Sequence, residues 1–190
     1  MAYTSGMTWV TDAIFAAGGD YVRESWSAFQ AQAGVSAIIT VAAEGPVAYR
    51  DPLPWAALWL PVEDEALFRL DQLALGVHFI QEALAGGRKV LLHGPKGVHR
   101  TRPLLAGHLL AEGKSLPRVL RMIEEKPWLP PYKGDRALLE QLAVRLAAER
   151  APASPARPRR LDSLDRPETS DGAPPLVLGP RDDEGDVEAQ

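Results

Sequence analysis

The chain has 190 residues, of which 46% are hydrophobic and 24% charged, and its formal net charge is −4. Residues 151–190 hold five Arg and nine Asp or Glu, so they carry the whole net charge and residues 1–150 are balanced. A balanced domain lacks the strongly basic surface of a nucleic-acid-binding protein, so we expect no nucleic-acid partner. No apolar run is long enough to cross a bilayer, and Met1–Asp20 does not have the pattern of a leader, so we expect a cytoplasmic protein without membrane association.

Composition changes near Ala151, where proline and arginine replace the periodic apolar residues. Few bulky apolar residues follow as far as Gln190, so we predict that residues 151–190 form a disordered tail. The preceding residues, 1–150, have an ordinary length for one domain. We therefore predict a single domain over residues 1–150 and expect a monomer, although composition alone does not determine the oligomeric state.

Apolar patterns alternate between strand and helix in the first half of the chain. The predicted strands are Thr8–Phe15, Val35–Ala42, Ala57–Val62 and Lys89–His93. The predicted helices lie near Arg23–Ala33, Ala66–Leu84, Thr101–Ala111, Leu116–Glu125 and Asp135–Arg150. This order predicts an α/β fold in which helices flank a central sheet.

The segment from Val90 to Thr101 combines a buried strand, a glycine-bearing loop and the start of a helix. The basic residues beside that helix start are Lys96, His99, Arg100 and Arg102. These positive side chains would normally be repelled by the helix start, because a helix N-terminus carries unpaired N–H groups and about half a positive charge. A bound anion would remove the conflict: Gly94 and Gly97 allow backbone amides to converge on it, and Arg100 offers a planar fork of donors.

An ordinary strand-to-helix turn explains the same spacing equally well, with glycines that serve geometry and basic residues that face solvent. A nucleotide-binding Walker loop does not explain it. That loop needs a second glycine five residues after Gly94, where the chain has His99. Spacing alone therefore leaves a phosphate-binding loop and a plain turn open.

The run His93-Gly94, five residues, then Arg100-Thr101 resembles the signature of the cysteine-dependent dual-specificity protein phosphatases, which reads His-Cys, five residues, Arg, then Ser or Thr. Gly97 matches the internal glycine of that signature. Further matches over most of residues 8–148 are Trp9-Val10-Thr11, Leu60–Asp64 and Gly113–Leu116. The resemblance implies a small dual-specificity-phosphatase-like domain with a phosphate-binding loop between the last central strand and a helix.

Gly94 stands where these phosphatases have their nucleophilic cysteine, and the chain contains no cysteine at all. Their reaction needs a thiolate that attacks phosphorus and forms a phosphocysteine. The chain therefore most resembles the pseudophosphatases of this family, some of which carry glycine at this position and bind phosphorylated partners without hydrolysing them. A replacement nucleophile among His93, His99 and Thr101 stays an alternative hypothesis, although no base that would activate it is identified.

Pro95 is a second departure from the family, because it has no N–H to offer to a phosphate. The loss of one charge-assisted hydrogen bond costs about 1.5–3 kcal/mol, or roughly tenfold or more in affinity. Replacement of a thiolate by Gly94 acts in the opposite direction, since a neutral loop floor does not repel a phosphate dianion. The sequence does not rank the two effects.

The resemblance assigns a role to each residue of the loop. Arg100 is implied as the bidentate clamp, and the other implied phosphate-binding residues are Lys96, Gly97, Val98 and His99. His93 is implied to support the loop. Thr101 matches a hydroxyl that would bond the thiolate in an active relative, and here we expect it to stabilise the first helical turn.

Asp64 lies where the family has the general acid that protonates the leaving group. Acidic residues also begin helices, where they oppose the helix dipole, and this is the explanation we prefer for Glu63, Asp64 and Glu65. The register leaves Glu63 and Glu65 open as alternative positions for the acid.

These observations predict a catalytically impaired, dual-specificity-phosphatase-like protein that binds a phosphorylated protein or a small phosphate-bearing ligand. One alternative is an active phosphatase that uses water or an unusual nucleophile, with Asp64 as general acid. A second alternative is a structural interaction module whose loop binds no ligand. We expect no cofactor and no metal, because His78 and His108 lack metal-ligand spacing.

Overall fold

A computed structural model describes residues 7–19, 21–94, 98–125 and 132–150, which all belong to one compact unit, Met1–Pro152. The predicted tail, residues 151–190, lies outside the described residues. The strands are β1 (Met7–Trp9), β2 (Ile14–Gly18), β3 (Val35–Val41), β4 (Ala56–Leu60) and β5 (Lys89–Gly94). They form one sheet in the order β1-β2-β5-β3-β4, with β1 antiparallel to β2 and the other pairs parallel. This arrangement confirms the predicted α/β class.

Helices cover both faces of the sheet. They are α1 (Tyr21–Glu24), α2 (Trp26–Ala28), α3 (Leu70–Ala85), α4 (Arg102–Ala111), α5 (Leu116–Glu124) and α6 (Arg136–Arg150), with a π-helical segment at Phe29–Ala33 and 3-10 turns at Glu65–Leu67 and Val98–Thr101. The larger core joins the sheet to α3, α4, α5 and α6, and the smaller core joins its other face to α1, α2 and the π-helical segment. Because both faces are covered, β3 and β5 are almost continuously buried. In the described ranges, no helix combines the length and apolarity that a membrane span requires.

The predicted strand Thr8–Phe15 is wrong, because two antiparallel strands occupy this region. Thr11 Oγ1 accepts hydrogen bonds from two backbone N–H groups that follow it, at 3.0 and 3.3 Å. A threonine side chain that bonds the backbone in this way favours a turn over an extended strand. The turn separates β1 from β2 and reverses the chain direction between them.

Two predicted helices are wrong in their continuity. The one near Arg23–Ala33 is divided at Ser25, which leaves helical geometry (φ −107°, ψ 14°). The one near Ala66–Leu84 is divided at Phe68, whose backbone is extended (φ −61°, ψ 139°). Apolar spacing continues through both breaks, so periodicity alone does not reveal them.

The carboxyl ends of the four parallel strands meet at one edge of the sheet. β5 ends at Gly94, and its neighbours β2 and β3 end at Gly18 and Val41. β4 ends at Leu60, beside the end of β3. The loops that follow these strands therefore lie at the same edge, which is where open α/β sheets bind ligands.

Candidate functional site

His93, near the end of β5, is buried (1% exposed). Its Nε2 lies 3.1 Å from the carbonyl oxygen of Gly19, and its Nδ1 lies 3.5 Å from Tyr49 Oη. The Tyr49 hydroxyl shares a 2.9 Å hydrogen bond with Thr40 Oγ1, and burial raises the pKa of Tyr49, so this hydroxyl stays protonated. These contacts connect the end of β5 with the residues after β2 and with β3.

The predicted phosphate-binding loop is described in part. Lys96 and Gly97 lie outside the described residues together with Pro95, so the phosphate contacts assigned to Lys96 and Gly97 stay predictions. Val98 begins the 3-10 turn that leads into α4. Thr101 Oγ1 donates a 2.7 Å hydrogen bond to Val98 O, and the residue is 2% exposed, so its hydroxyl closes this turn.

Arg100 is the residue to which the sequence assigns the clamp. Its side chain is 10% exposed, and its Nη1 donates a 3.1 Å hydrogen bond to Glu44 Oε2. Glu44 follows β3 in the connection to β4, and its side chain is 43% exposed. The guanidinium therefore meets a carboxylate from the edge at which β3 and β5 end.

Arg102, at the start of α4, is completely buried (0% exposed). Its Nε donates a 2.7 Å hydrogen bond to Glu65 Oε2, and its Nη2 contacts the other oxygen of the same carboxylate. The Nη2 also lies 3.1 Å from Nδ1 of His99, an exposed residue. By its place in the sequence, Arg102 is among the basic residues that a bound anion would neutralise. This expectation is wrong, because the Glu65 carboxylate neutralises Arg102 inside the fold.

Asp64 and Glu65 have different surroundings although they are adjacent. Asp64 is exposed, and its Oδ1 accepts a 2.9 Å hydrogen bond from the backbone N–H two residues further on, which caps the 3-10 turn. This contact agrees with the helix-start explanation of the acidic run. Glu65 is the wrong position for a general acid, since Arg102 holds its carboxylate in the interior. The Glu65–Leu67 turn, which Asp64 caps, packs against the Val98–Thr101 turn.

Glu44 is the residue of this site that sequence reasoning missed. It lies 56 positions from Arg100, so no local spacing connects the two. One signal was present: Glu44 comes three residues after Val41, the end of a buried strand beside β5. Within the described ranges, no group of three acidic or histidine side chains is arranged to hold a metal ion.

Comparison with known proteins identifies the fold. No family model and no curated protein matches the chain. A mouse dual specificity phosphatase, solved in complex with zinc tungstate, is similar with a TM-score of 0.64 and 24% identity, over 78% of this chain and 93% of that one. Human DUSP28 gives a TM-score of 0.61 and 22% identity, over 74% of this chain and 97% of that one.

A third solved structure is the human tyrosine phosphatase-like serine/threonine/tyrosine-interacting protein. Its TM-score is 0.61 and its identity 17%, over 75% of this chain and 97% of that one. At these identities the likeness establishes the fold of the small dual-specificity phosphatases. The chemistry of the site has to be argued from the residues of this chain.

Proposed function

We propose that this protein is a dual-specificity-phosphatase-like pseudophosphatase, which binds a phosphorylated residue or another phosphate-bearing ligand after β5. The observation that carries the proposal is the Arg100 guanidinium, nine-tenths buried at the ligand-binding edge and bonded to a carboxylate oxygen of Glu44 at 3.1 Å. Phosphate oxygens accept the same charge-assisted hydrogen bonds from arginine as carboxylate oxygens do. The similar mouse phosphatase forms a complex with zinc tungstate, and tungstate is an oxyanion like phosphate.

Arg100 is the clamp in this proposal, and the backbone amides from Lys96 to His99 surround the ligand. His93 and Thr101 stabilise the two ends of the loop through the hydrogen bonds described above. We extend the proposal to the whole chain: residues 1–150 form the binding domain, residues 151–190 form a disordered tail, and the protein works in the cytoplasm.

Loss of hydrolysis follows from the side chains near position 94. Gly94 has no side chain that could attack phosphorus, and no cysteine occurs elsewhere in the chain. The Thr101 hydroxyl donates its proton to Val98 O, and the His93 imidazole is buried against Gly19. The Asp64 carboxylate caps a turn, a role that needs no catalysis.

Oxyanion binding is tested by thermal unfolding of the full chain with and without sodium tungstate at constant ionic strength. Tungstate at a hundred times its Kd should stabilise the protein by about 2.7 kcal/mol and raise its Tm. Arg100→Ala should abolish this rise, whereas Arg136→Ala, the same change at an exposed position on α6, should retain it. A Tm that tungstate does not change would favour the structural module that binds no ligand.

Hydrolysis is tested separately with a generic aryl phosphate. We expect no turnover by the natural chain. If the natural chain does hydrolyse the aryl phosphate, and both Asp64→Asn and Arg100→Ala abolish this activity, the protein is an active phosphatase and the proposal of binding without hydrolysis is wrong. Gly94→Cys restores the thiol of the family signature. Weak hydrolysis and a trapped phosphoenzyme in this variant would support a phosphatase-like loop, and their absence would indicate that Pro95 has altered it.

A further inference from the structure

The contact between Glu44 and Arg100 places an internal anion on the clamp. It joins Glu44 Oε2 to Arg100 Nη1 at 3.1 Å. A bidentate oxyanion takes two parallel N–H groups of one guanidinium, so a carboxylate at Nη1 occupies part of the fork. The Glu44 carboxylate therefore competes for the same donor with any phosphate that binds this edge of Arg100.

The exposure of Glu44 indicates that this contact can be broken. Its side chain is 43% exposed, whereas the Arg100 side chain is 10% exposed. A half-exposed carboxylate can exchange its hydrogen bond with arginine for hydrogen bonds with water. The phosphate then takes its place at the buried Arg100 guanidinium, so the exchange leaves neither charge without a partner. The buried Glu65 has no such exchange, because its side chain is only 6% exposed and both of its oxygens contact Arg102.

We propose that Glu44 is an internal competitor of the ligand, which occupies the Arg100 guanidinium until a phosphate group displaces it. This inference rests on the proposed function, because it concerns the same clamp. The apparent affinity of a site is reduced by the fraction of molecules in the competent state. If the closed contact is about ten times as populated as the open one, every ligand that requires Arg100 binds about tenfold more weakly than to an open site.

The experiment compares tungstate and inorganic phosphate binding to the full chain by calorimetry at constant ionic strength. Glu44→Gln removes the negative charge, and Glu44→Ala removes the side chain that contacts Arg100. Both variants should bind both oxyanions on the order of tenfold more tightly than the natural chain. Glu140→Gln makes the same charge change at an exposed position on α6 and should leave both affinities unchanged.

An internal competitor lowers the affinity of all Arg100-dependent ligands by the same factor. The Glu44 variants should therefore show the same fold increase in affinity for tungstate as for phosphate. Equal affinities in the natural chain and both Glu44 variants, with binding still lost in Arg100→Ala, would overturn the inference and leave the proposed function intact. Weaker binding in the Glu44 variants would also overturn it, because Glu44 would then hold Arg100 in position for the ligand. Absence of binding in every variant would overturn the proposed function together with the inference.

Discussion

Two arginines on either side of Thr101 meet glutamates in different ways. Arg102 has no exposed side-chain surface, and both oxygens of Glu65, itself 6% exposed, contact it. Arg100 meets Glu44 through one nitrogen, and the Glu44 side chain is 43% exposed. The same pair of residue types therefore forms an interior connection in one place and an exchangeable contact in the other.

Burial explains the difference between the two ion pairs. Removal of one partner from a buried pair leaves a charge that water cannot reach, and this is strongly unfavourable. An exposed partner has water as an alternative, so such a pair contributes little to stability. We therefore assign Arg102 to the stability of the fold and Arg100 to the proposed phosphate ligand.

The largest expected effect breaks the interior pair. Glu65→Ala leaves Arg102 buried without its carboxylate, so we expect the free energy of unfolding to fall by about 3–5 kcal/mol. The measurement is urea unfolding of the full chain. Glu63→Ala is the matched control, since it removes an exposed carboxylate two positions away and should cost less than about 1 kcal/mol. Equal losses in the two variants would contradict the assignment.

Substitution of the residue between the arginines has the next largest effect. Thr101→Val removes the buried hydroxyl that donates to Val98 O at 2.7 Å and leaves that carbonyl without this bond. We expect a loss of about 1–2 kcal/mol in the free energy of unfolding. Thr101→Ser keeps the hydroxyl and should retain most of the stability. A Thr101→Val variant as stable as the natural chain would show that the hydrogen bond does not support the turn.

Arg100→Gln tests the other half of the comparison. We expect it to change the free energy of unfolding by no more than about 1 kcal/mol, because the Glu44 carboxylate that it releases can be solvated. It should also abolish tungstate binding. Arg102→Gln makes the same change at the buried position and should lose several kcal/mol, on the order of the Glu65→Ala effect. If Arg100→Gln lost more free energy of unfolding than Arg102→Gln, the assignment of Arg102 to the stability of the fold would be contradicted.

His108, also on α4, extends the comparison to a buried side chain with an unsatisfied atom. Among the described residues its Nδ1 has no hydrogen-bond partner, and burial lowers its pKa from 6.5, with Glu112 opposing this shift and Lys114 adding to it. The unfolded chain therefore takes up a proton before the folded protein does. Stability is fully present above about pH 6.5 and falls as the pH decreases through this range.

The test compares unfolding of the natural chain and His108→Gln at pH 7.5 and pH 5. The natural chain should lose more stability between the two values than the variant does, because the variant has no imidazole to protonate. We expect this effect to be the smallest of the four, since it arises only from the lowered pKa of one imidazole. The same pH dependence in both proteins would assign the loss to other groups.

Local sequence patterns predicted a large part of the fold. The buried strands β3 and β5 appear as apolar runs, and α4, α5 and α6 agree closely with the predicted helices, whereas α3 begins at Leu70 and not at Ala66. The predictions were wrong at Thr11, Ser25 and Phe68, where single residues interrupt a continuous apolar pattern. Nearby hydrogen bonds and packing determine the backbone geometry of a single residue. Apolar spacing is a property of a longer window, so it does not reveal a break at one position.

The candidate site divides in the same way. The sequence identified Arg100, Thr101 and His93 because they occupy one short segment with a recognisable order. It did not identify Glu44 or the role of Glu65, which lie 56 and 37 positions from the arginines they contact. Their positions depend on which loops meet at the carboxyl edge of the sheet.

By itself the sequence determined the buried strands β3 and β5, the helices of the second half of the chain, the α/β class and the absence of any thiol, since these follow from residue types and local spacing. Only the tertiary structure decided which arginine is neutralised in the interior and which one meets a half-exposed glutamate at the carboxyl edge of the sheet. The physical reason is that solvation and ion pairing depend on neighbours distant in the chain. Folding brings one glutamate to each arginine but excludes water from only one of the two pairs.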